Sequence, residues 1–345
     1  MNDSSIRVAV VGASGYTGEE LLRVLISHPR MKLSAVTSRQ NEGQSLNQFM
    51  GAKNLYPDLK FKNLSADELI ERADVFFLAL PHGVAAKYMV PLRTARKIVL
   101  DLSADFRMKD PVVYEEFYGK KHPAPELLEQ AVYGNPEIYG EALKTADLIA
   151  CPGCYPTSIL LALAPALKKG LLDTDHINIT SMSGVSGAGK KAELGFSFCE
   201  LNESVKPYGV PKHRHICEIE QELSHLAGHM LRITFVPHLI PVQRGMLSTI
   251  TCPATTNIND SQLISLYQDF YKDSPFVHVL ENGDLPETRR VVRTNNCQMA
   301  LRYDARTNRI IAMSAIDNLG KGAATQAVQC LNQRFGFSQW EGLTS

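Results

Sequence analysis

The sequence predicts an α/β chain in which a doubly wound parallel sheet is followed by an α+β domain with a largely antiparallel sheet. Three observations carry this expectation. Short apolar runs alternate with helical segments up to about residue 150, a glycine-rich turn joins the first run to the first helix, and longer β-branched runs take over after the helix that begins near Ser158.

Ile6 to Val11 reads as a buried strand, Gly12-Ala-Ser-Gly-Tyr-Thr-Gly18 follows it directly, and Glu19 to Ile26 reads as a helix. A strand, a glycine turn and a helix N-terminus form a phosphate cradle, because glycines admit a pyrophosphate close to the backbone and the helix end binds its charge. The spacing is GxxGxxG rather than GxGxxG, and its context marks a Rossmann-type dinucleotide domain with Gly12, Ser14, Gly15, Tyr16, Thr17 and Gly18 as cofactor contacts. The next strand, Lys32 to Thr37, ends in Ser38 and Arg39 instead of an acidic residue. A hydroxyl and a guanidinium suit a 2'-phosphate that a carboxylate would repel, so NADP is the expected cofactor.

Ala73 to Leu80 and Lys97 to Leu102 read as further buried strands, each with a loop beyond its end: Pro81-His82-Gly83 and Ser103-Ala-Asp-Phe-Arg107. Ligands bind at such strand ends in open α/β sheets. Both loops are candidate ligand sites, with Pro81 and His82 carried as cofactor contacts and Ser103 as a substrate contact. Ala146 to Ala150 is the strand that delivers the chain to Cys151-Pro-Gly-Cys154.

That turn places Cys154 at the start of the helical run Ser158 to Lys169, with Pro156 suited to a first helical turn. A helix N-terminus favours a thiolate, so Cys154 is the candidate nucleophile. Cys151 and Cys154 also spell CxxC. Structural zinc needs about four ligands and no second CxxC or CxxH occurs, while a thioredoxin-like protein has no need of the preceding dinucleotide domain.

In the second domain, His176 to Ser181, Met230 to Val236, Met246 to Cys252, Val277 to Leu280, Gln298 to Tyr303 and Arg309 to Ile316 read as strands. The loop Ser183 to Lys190 can present converging N–H groups to an anion, a merely flexible loop being an equal alternative, and Ser186 and Gly187 near its centre are carried as cofactor contacts. Lys212-His-Arg-His215 precedes an amphipathic helix, and either His213 or His215 can take the proton of Cys154 and later reprotonate an alkoxide. Lys321 to Phe335 closes the chain as a helix. The expected domains are residues 1–150 with 318–345, and 151–317.

Equal numbers of basic and acidic residues, 36 of each, and no long basic run argue against nucleic acid or an anionic membrane as partner. No signal segment precedes the first strand and no apolar run is long enough to cross a bilayer, so a cytoplasmic location is expected. Seven scattered cysteines do not form a disulfide framework, and no metal is expected.

Taken together, Gly12 to Gly18, Leu80-Pro-His-Gly83, Asp101 to Arg107, Tyr133-Gly-Asn-Pro-Glu137, Pro152 to Thr157, Ser183 to Lys190, His213-Arg-His215, Val236 to Gly245 and Asp317 to Ala324 resemble the N-acetyl-gamma-glutamyl-phosphate reductases, relatives of the aspartate-semialdehyde dehydrogenases. The resemblance spans nearly the whole chain. It implies reduction of N-acetyl-L-glutamyl 5-phosphate by NADPH in arginine biosynthesis, through a thioester and then a thiohemiacetal on Cys154. It also implies His215 as acid/base, with His213 competing, and Arg107 and Arg244 holding the substrate carboxylate or phosphate. Asn318 is implied at the nicotinamide, Asn135 at the substrate where relatives commonly carry leucine, and a homodimer or homotetramer as the assembly. An aspartate-semialdehyde dehydrogenase is the rival reading, although Gly153 before the cysteine and Tyr155-Pro156-Thr157 after it depart from that pattern. A non-catalytic NADP-binding sensor is another, and it has no use for an activated thiol.

Overall fold

The computed structural model describes residues 5–51, 56–190 and 192–343. Residues 1–4, 344 and 345, which the sequence places in the first domain, lie outside the described residues. The chain divides into two compact units: the described residues through Pro152 with Ala323–Leu343, and Gly153–Gly322.

The first unit is a six-stranded parallel sheet in the order β2-β1-β3-β4-β6-β5, with β1 at Ile6–Val11, β2 at Met31–Val36, β3 at Val75–Leu78, β4 at Ile98–Asp101, β5 at Val132–Tyr133 and β6 at Leu148–Ala150. Alternation along β1 supplies both faces. Val8 and Val10 enter one core with Leu21, Leu22 and Leu25 of the helix Tyr16–Ile26 and with Val328 and Leu331 of the helix Thr325–Arg334. Ala9 and Val11 enter the other with Met89 and Leu92 of the helix Ala86–Thr94. Strand order reverses on either side of β1, which is where an open α/β sheet receives its ligand.

The second unit holds a seven-stranded sheet ordered β11-β12-β13-β10-β7-β9-β8. Its strands are β7 (Ile177–Gly184), β8 (Lys206–Pro207), β9 (Ile233–Ile240), β10 (Met246–Pro253), β11 (Val277–Val279), β12 (Cys297–Asp304) and β13 (Arg309–Ile316). The sheet is mixed, because β7 pairs β9 and β11 pairs β12 in parallel while the other neighbours are antiparallel.

Two departures from the sequence reading have one cause. β9 was expected to stop at Val236 before Pro237, yet it runs to Ile240, and β8 was not expected at all. The carbonyl of Pro237 accepts from Tyr208 N on the β8 side at 3.1 Å. A residue's N–H and C=O point to the same side of a strand, so the N–H that proline lacks faces the two-residue edge strand and not the long β7 ladder.

The helix Cys154–Lys168 is buried at every position from Tyr155 to Leu167. A helix apolar all round belongs in a core. Pro165 cannot donate to Leu161 O four residues earlier, and Tyr271 Oη donates to that carbonyl instead at 2.6 Å, while Tyr267 Oη donates to Ala162 O at 2.7 Å.

Candidate active site

In the first unit the glycine turn is set by close backbone approach. Gly12 has φ +83°, and a Cβ there would lie 2.4 Å from Ala79 O; one on Gly18 would lie 2.6 Å from Ala13 Cα. Gly15 is the N-cap of the helix Tyr16–Ile26, Tyr16 is exposed and Thr17 half-buried. These residues fit a dinucleotide phosphate: the turn is half-buried backbone ahead of a helix N-terminus, which a side chain at Gly12 or Gly18 would disrupt. Ser14 Oγ and Ser38 Oγ share a hydrogen bond of 2.7 Å, Asn41 N donates to Ser38 Oγ, and Arg39 is exposed beside them.

The loops after β3 and β4 are latched together. Gly83 N donates to Asp105 Oδ1 at 2.7 Å, Ala85 N to Asp105 Oδ2 at 3.2 Å and Tyr114 Oη to Asp105 Oδ1 at 3.1 Å. In return Ala104 N donates to His82 Nδ1 at 3.0 Å, which fixes the exposed Pro81-His82 turn. Ser103 is buried, with its Oγ donating to Asp101 Oδ2 at 2.8 Å and accepting from Asp105 N at 3.1 Å. Burial, with the neighbouring Asp105 charge, pushes Asp101 up to about 7. Arg107 is buried and donates through Nε to Cys151 O at 2.7 Å and through Nη2 to Leu102 O at 3.1 Å. Asn135 is fully buried, and neither polar atom of its side chain has a hydrogen-bond partner among the described residues.

In the second unit Cys154 is the first residue of its helix, capped by Gly153. A Cβ on Gly153 would fall 2.5 Å from His215 Nε2, so the imidazole lies directly on the backbone that precedes the thiol. A Cβ on Gly322 would fall 2.7 Å from Cys154 Cβ, and this glycine sits in the π-helical turn Gly320–Ala324. Two residues without side chains thus enclose the nucleophile. Glu218, one turn beyond His215 on the helix His215–Ala227, is fully buried and accepts from Gly153 N at 2.8 Å.

The structure separates the two histidines. His213 Nδ1 accepts the N–H of His215 at 3.1 Å, and its ring meets Tyr155, Tyr208 and Phe235 edge-on. Burial, and then the Arg214 charge, pushes His213 down to about 4, which keeps it neutral with its proton on Nε2. Tyr208 was not foreseen. Its hydroxyl pairs with Tyr155 Oη at 2.8 Å, and burial above all, with the charge of Cys154 adding to it, pushes the Tyr208 phenol up to about 12. The same burial raises Tyr155 further. The signal available in the sequence was Tyr208 standing five residues before His213 in the Pro207 to His215 stretch.

Around the end of β13, Asn318 Nδ2 donates to Ser186 Oγ at 2.9 Å and Asn318 Oδ1 accepts from Gly245 N at 2.8 Å. Gly187 packs here too, since a Cβ on it would lie 3.5 Å from Asn318 Nδ2. Arg244 is paired with the fully buried Asp317, Nη2 to Oδ2 at 2.9 Å. The second unit therefore brings together Cys154 with His213 and His215, and Ser186 and Gly187 with Asn318. The first unit gathers His82, Ser103 and the Asp101–Asp105 loop at its strand ends.

Comparison with known proteins places this geometry. The family model "Semialdehyde dehydrogenase, NAD binding domain" matches residues 7–146, and "Semialdehyde dehydrogenase, dimerisation domain" matches residues 154–318. A protein of Desulfotalea psychrophila named N-acetyl-gamma-glutamyl-phosphate reductase is 49% identical over 339 residues, 98% of each chain. Its namesake in Moorella thermoacetica is 47% identical over 97% of this chain and 96% of that one. Among solved structures, aspartate semialdehyde dehydrogenase II of Vibrio cholerae complexed with ASA superposes with a TM-score of 0.75 at 19% identity, covering 96% of this chain and 98% of that one. Aspartate semialdehyde dehydrogenase with NADP from Candida albicans gives a TM-score of 0.67 at 15% identity, covering 96% and 99%. The solved structures share the fold. With both halves matched by family models and relatives nearly half identical along almost the whole length, the chain belongs to the semialdehyde dehydrogenase family, in its N-acetyl-gamma-glutamyl-phosphate reductase branch.

Proposed function

We propose that the chain reduces N-acetyl-L-glutamyl 5-phosphate to N-acetyl-L-glutamate 5-semialdehyde and phosphate with NADPH, as a cytoplasmic step of arginine biosynthesis. The observation that carries the reading is the Cys154 thiol at a helix N-terminus with His215 packed on the preceding glycine, in a chain 49% identical to a relative of that name.

The Cys154 thiolate attacks the acyl carbon, the bond to the phosphate oxygen breaks, and a thioester remains on sulfur. When bound, the dinucleotide supplies the hydride that reduces the thioester carbon. His215 protonates the resulting oxyanion, then takes that hydroxyl proton back as the thiohemiacetal collapses, which breaks the C–S bond, returns the thiolate and frees the aldehyde. His213 supports His215 by capping its backbone N–H while staying neutral. The glycine turn Gly12–Gly18 holds the pyrophosphate, and Ser38 with Arg39 selects a 2'-phosphate in the absence of a carboxylate at the end of β2. Arg107 and Arg244 are assigned to the substrate's anionic ends, and Asn318 with Ser186 to the nicotinamide side. Asn135, buried as it is, contributes to the shape behind the loop that carries it.

The assembly is proposed as a homodimer or homotetramer formed through the second unit. Along β7 the residues Ile177, Ile179 and Ser181 are buried while Asn178, Thr180 and Met182 are exposed, which leaves one sheet face open to a second copy. Among the described residues, no helix is long and apolar enough to cross a membrane.

The test is NADPH oxidation with N-acetyl-L-glutamyl 5-phosphate against β-aspartyl phosphate, for wild type and Cys154→Ser, with the aldehyde trapped and identified. Turnover of the acetylated substrate alone, lost in Cys154→Ser, is expected. Preference for β-aspartyl phosphate would move the chain to the sister activity.

A further inference from the structure

The carboxylate of Asp317, fully buried just beyond the end of β13, is a junction. Oδ1 accepts from the backbone N–H groups of Leu319 at 2.9 Å and Gly320 at 3.2 Å, and Oδ2 accepts from Arg293 N. These bonds come from main chain and leave the carboxylate no freedom to turn. The same carboxylate holds Arg244 by one hydrogen bond, Nε to Oδ1 at 3.2 Å, and by the ion-pair contact of Nη2 with Oδ2 at 2.9 Å. The hydrogen bond and the opposite charge beside it tether the guanidinium to this one carboxylate.

The backbone of Asp317 completes the frame. Its carbonyl accepts Gly322 N at 2.8 Å, closing the turn whose bare Cα lies against Cys154. Asn318, the next residue, holds Gly245 N, so consecutive side chains secure Arg244 and its neighbour. Asp317 therefore measures Arg244 against Cys154 across a sequence separation that no local element spans.

We infer that Asp317 is a positioning residue of the reaction, acting through Arg244 to align the substrate's anionic group with the Cys154 sulfur. This rests on the reading that Cys154 attacks the acyl phosphate and that Arg244 grips the same molecule. A pair serving folding alone would lower stability and leave kinetics per folded site untouched.

Asp317→Asn keeps an oxygen for Leu319 N and Gly320 N and removes the ionic grip on Arg244. In the full-length protein, with active sites counted by Cys154 alkylation, Asp317→Asn is expected to lower kcat/KM for N-acetyl-L-glutamyl 5-phosphate about 100-fold while the Kd for NADPH stays within about twofold. The Asp317→Asn/Arg244→Gln double variant is expected to match Arg244→Gln alone within about threefold, since one acts through the other. Wild-type kcat/KM in Asp317→Asn, losses that multiply in the double variant, or a parallel loss of NADPH affinity would each overturn the inference. Should Asp317→Asn fail to fold, the double variant, which strands no buried charge, is compared with Arg244→Gln: equality supports the inference and a further tenfold fall overturns it. Failure of wild type to turn over the acetylated acyl phosphate is a different result and removes the reading beneath it.

Discussion

The two units both depend on glycines, and for opposite reasons. Gly12 and Gly18 are held to glycine by main chain, with Ala79 O and Ala13 Cα where a side chain would begin. Gly153 and Gly322 are held by side chains of the candidate active site, with His215 Nε2 and Cys154 Cβ in those places. The difference teaches where a substitution lands. In the first unit a methyl group meets the turn's own main chain, and in the second it meets the side chains of the candidate site.

A matched pair of variants breaks or sharpens that contrast. Gly153→Ala is expected to cut kcat about 100-fold with the unfolding midpoint nearly unchanged, because a misplacement near 1 Å at the reacting groups costs about that much. Gly12→Ala, at φ +83° and against Ala79 O, is expected to lose about 1–3 kcal/mol of stability from the strained backbone and more from the clash. Thermal unfolding alongside steady-state kinetics reads both, and a Gly153→Ala protein that unfolds early with normal kcat would erase the distinction.

The second comparison is between the buried aspartates. Asp317 has Arg244 as its counter-ion, whereas Asp101 faces Asp105 and is held up at about 7 by burial and that repulsion. The folded chain keeps the Asp101 proton while the unfolded chain releases it near pH 4, so this group lowers stability as pH rises from about 4 to about 7. Asp101→Asn mimics the protonated form. Its unfolding midpoint relative to wild type is expected to climb between about pH 4 and about pH 7 and then level off, and a constant difference across that range would contradict the assignment. The smallest effect is expected at Asn135, where two unsatisfied polar atoms lie in the core. Asn135→Leu is expected to raise stability by about 1–2 kcal/mol in a urea titration, against a loss if those atoms meet a partner.

What the sequence displayed well was local. The Gly12–Gly18 turn and the Cys154 helix start are contiguous signals, because the strand, the turn residues and the helix that follow one another are all read from neighbouring positions. Contacts made across long separations were hidden. Glu218 reaches Gly153, Asp317 reaches Arg244, and Gly322 reaches Cys154, none of which has a period or spacing to betray it. The different surroundings of His213 and His215 were hidden as well, since burial among Tyr155, Tyr208 and Phe235, which lowers His213, comes from residues far apart in the chain. Pro237 misled for a physical reason, as only the neighbouring strand length determines whether a missing N–H matters.

The helix that carries Cys154 closes its proline gap with a phenol from another part of the chain, Tyr271 Oη on Leu161 O, and buries every residue from Tyr155 to Leu167. Its interior amides are then open to deuterium only when the whole unit opens. The thiol at its tip is anchored in that core: at about pH 6, where an unfolded thiol is almost wholly protonated and slow, fast alkylation of Cys154 on refolding is expected to return only as the second unit's core forms.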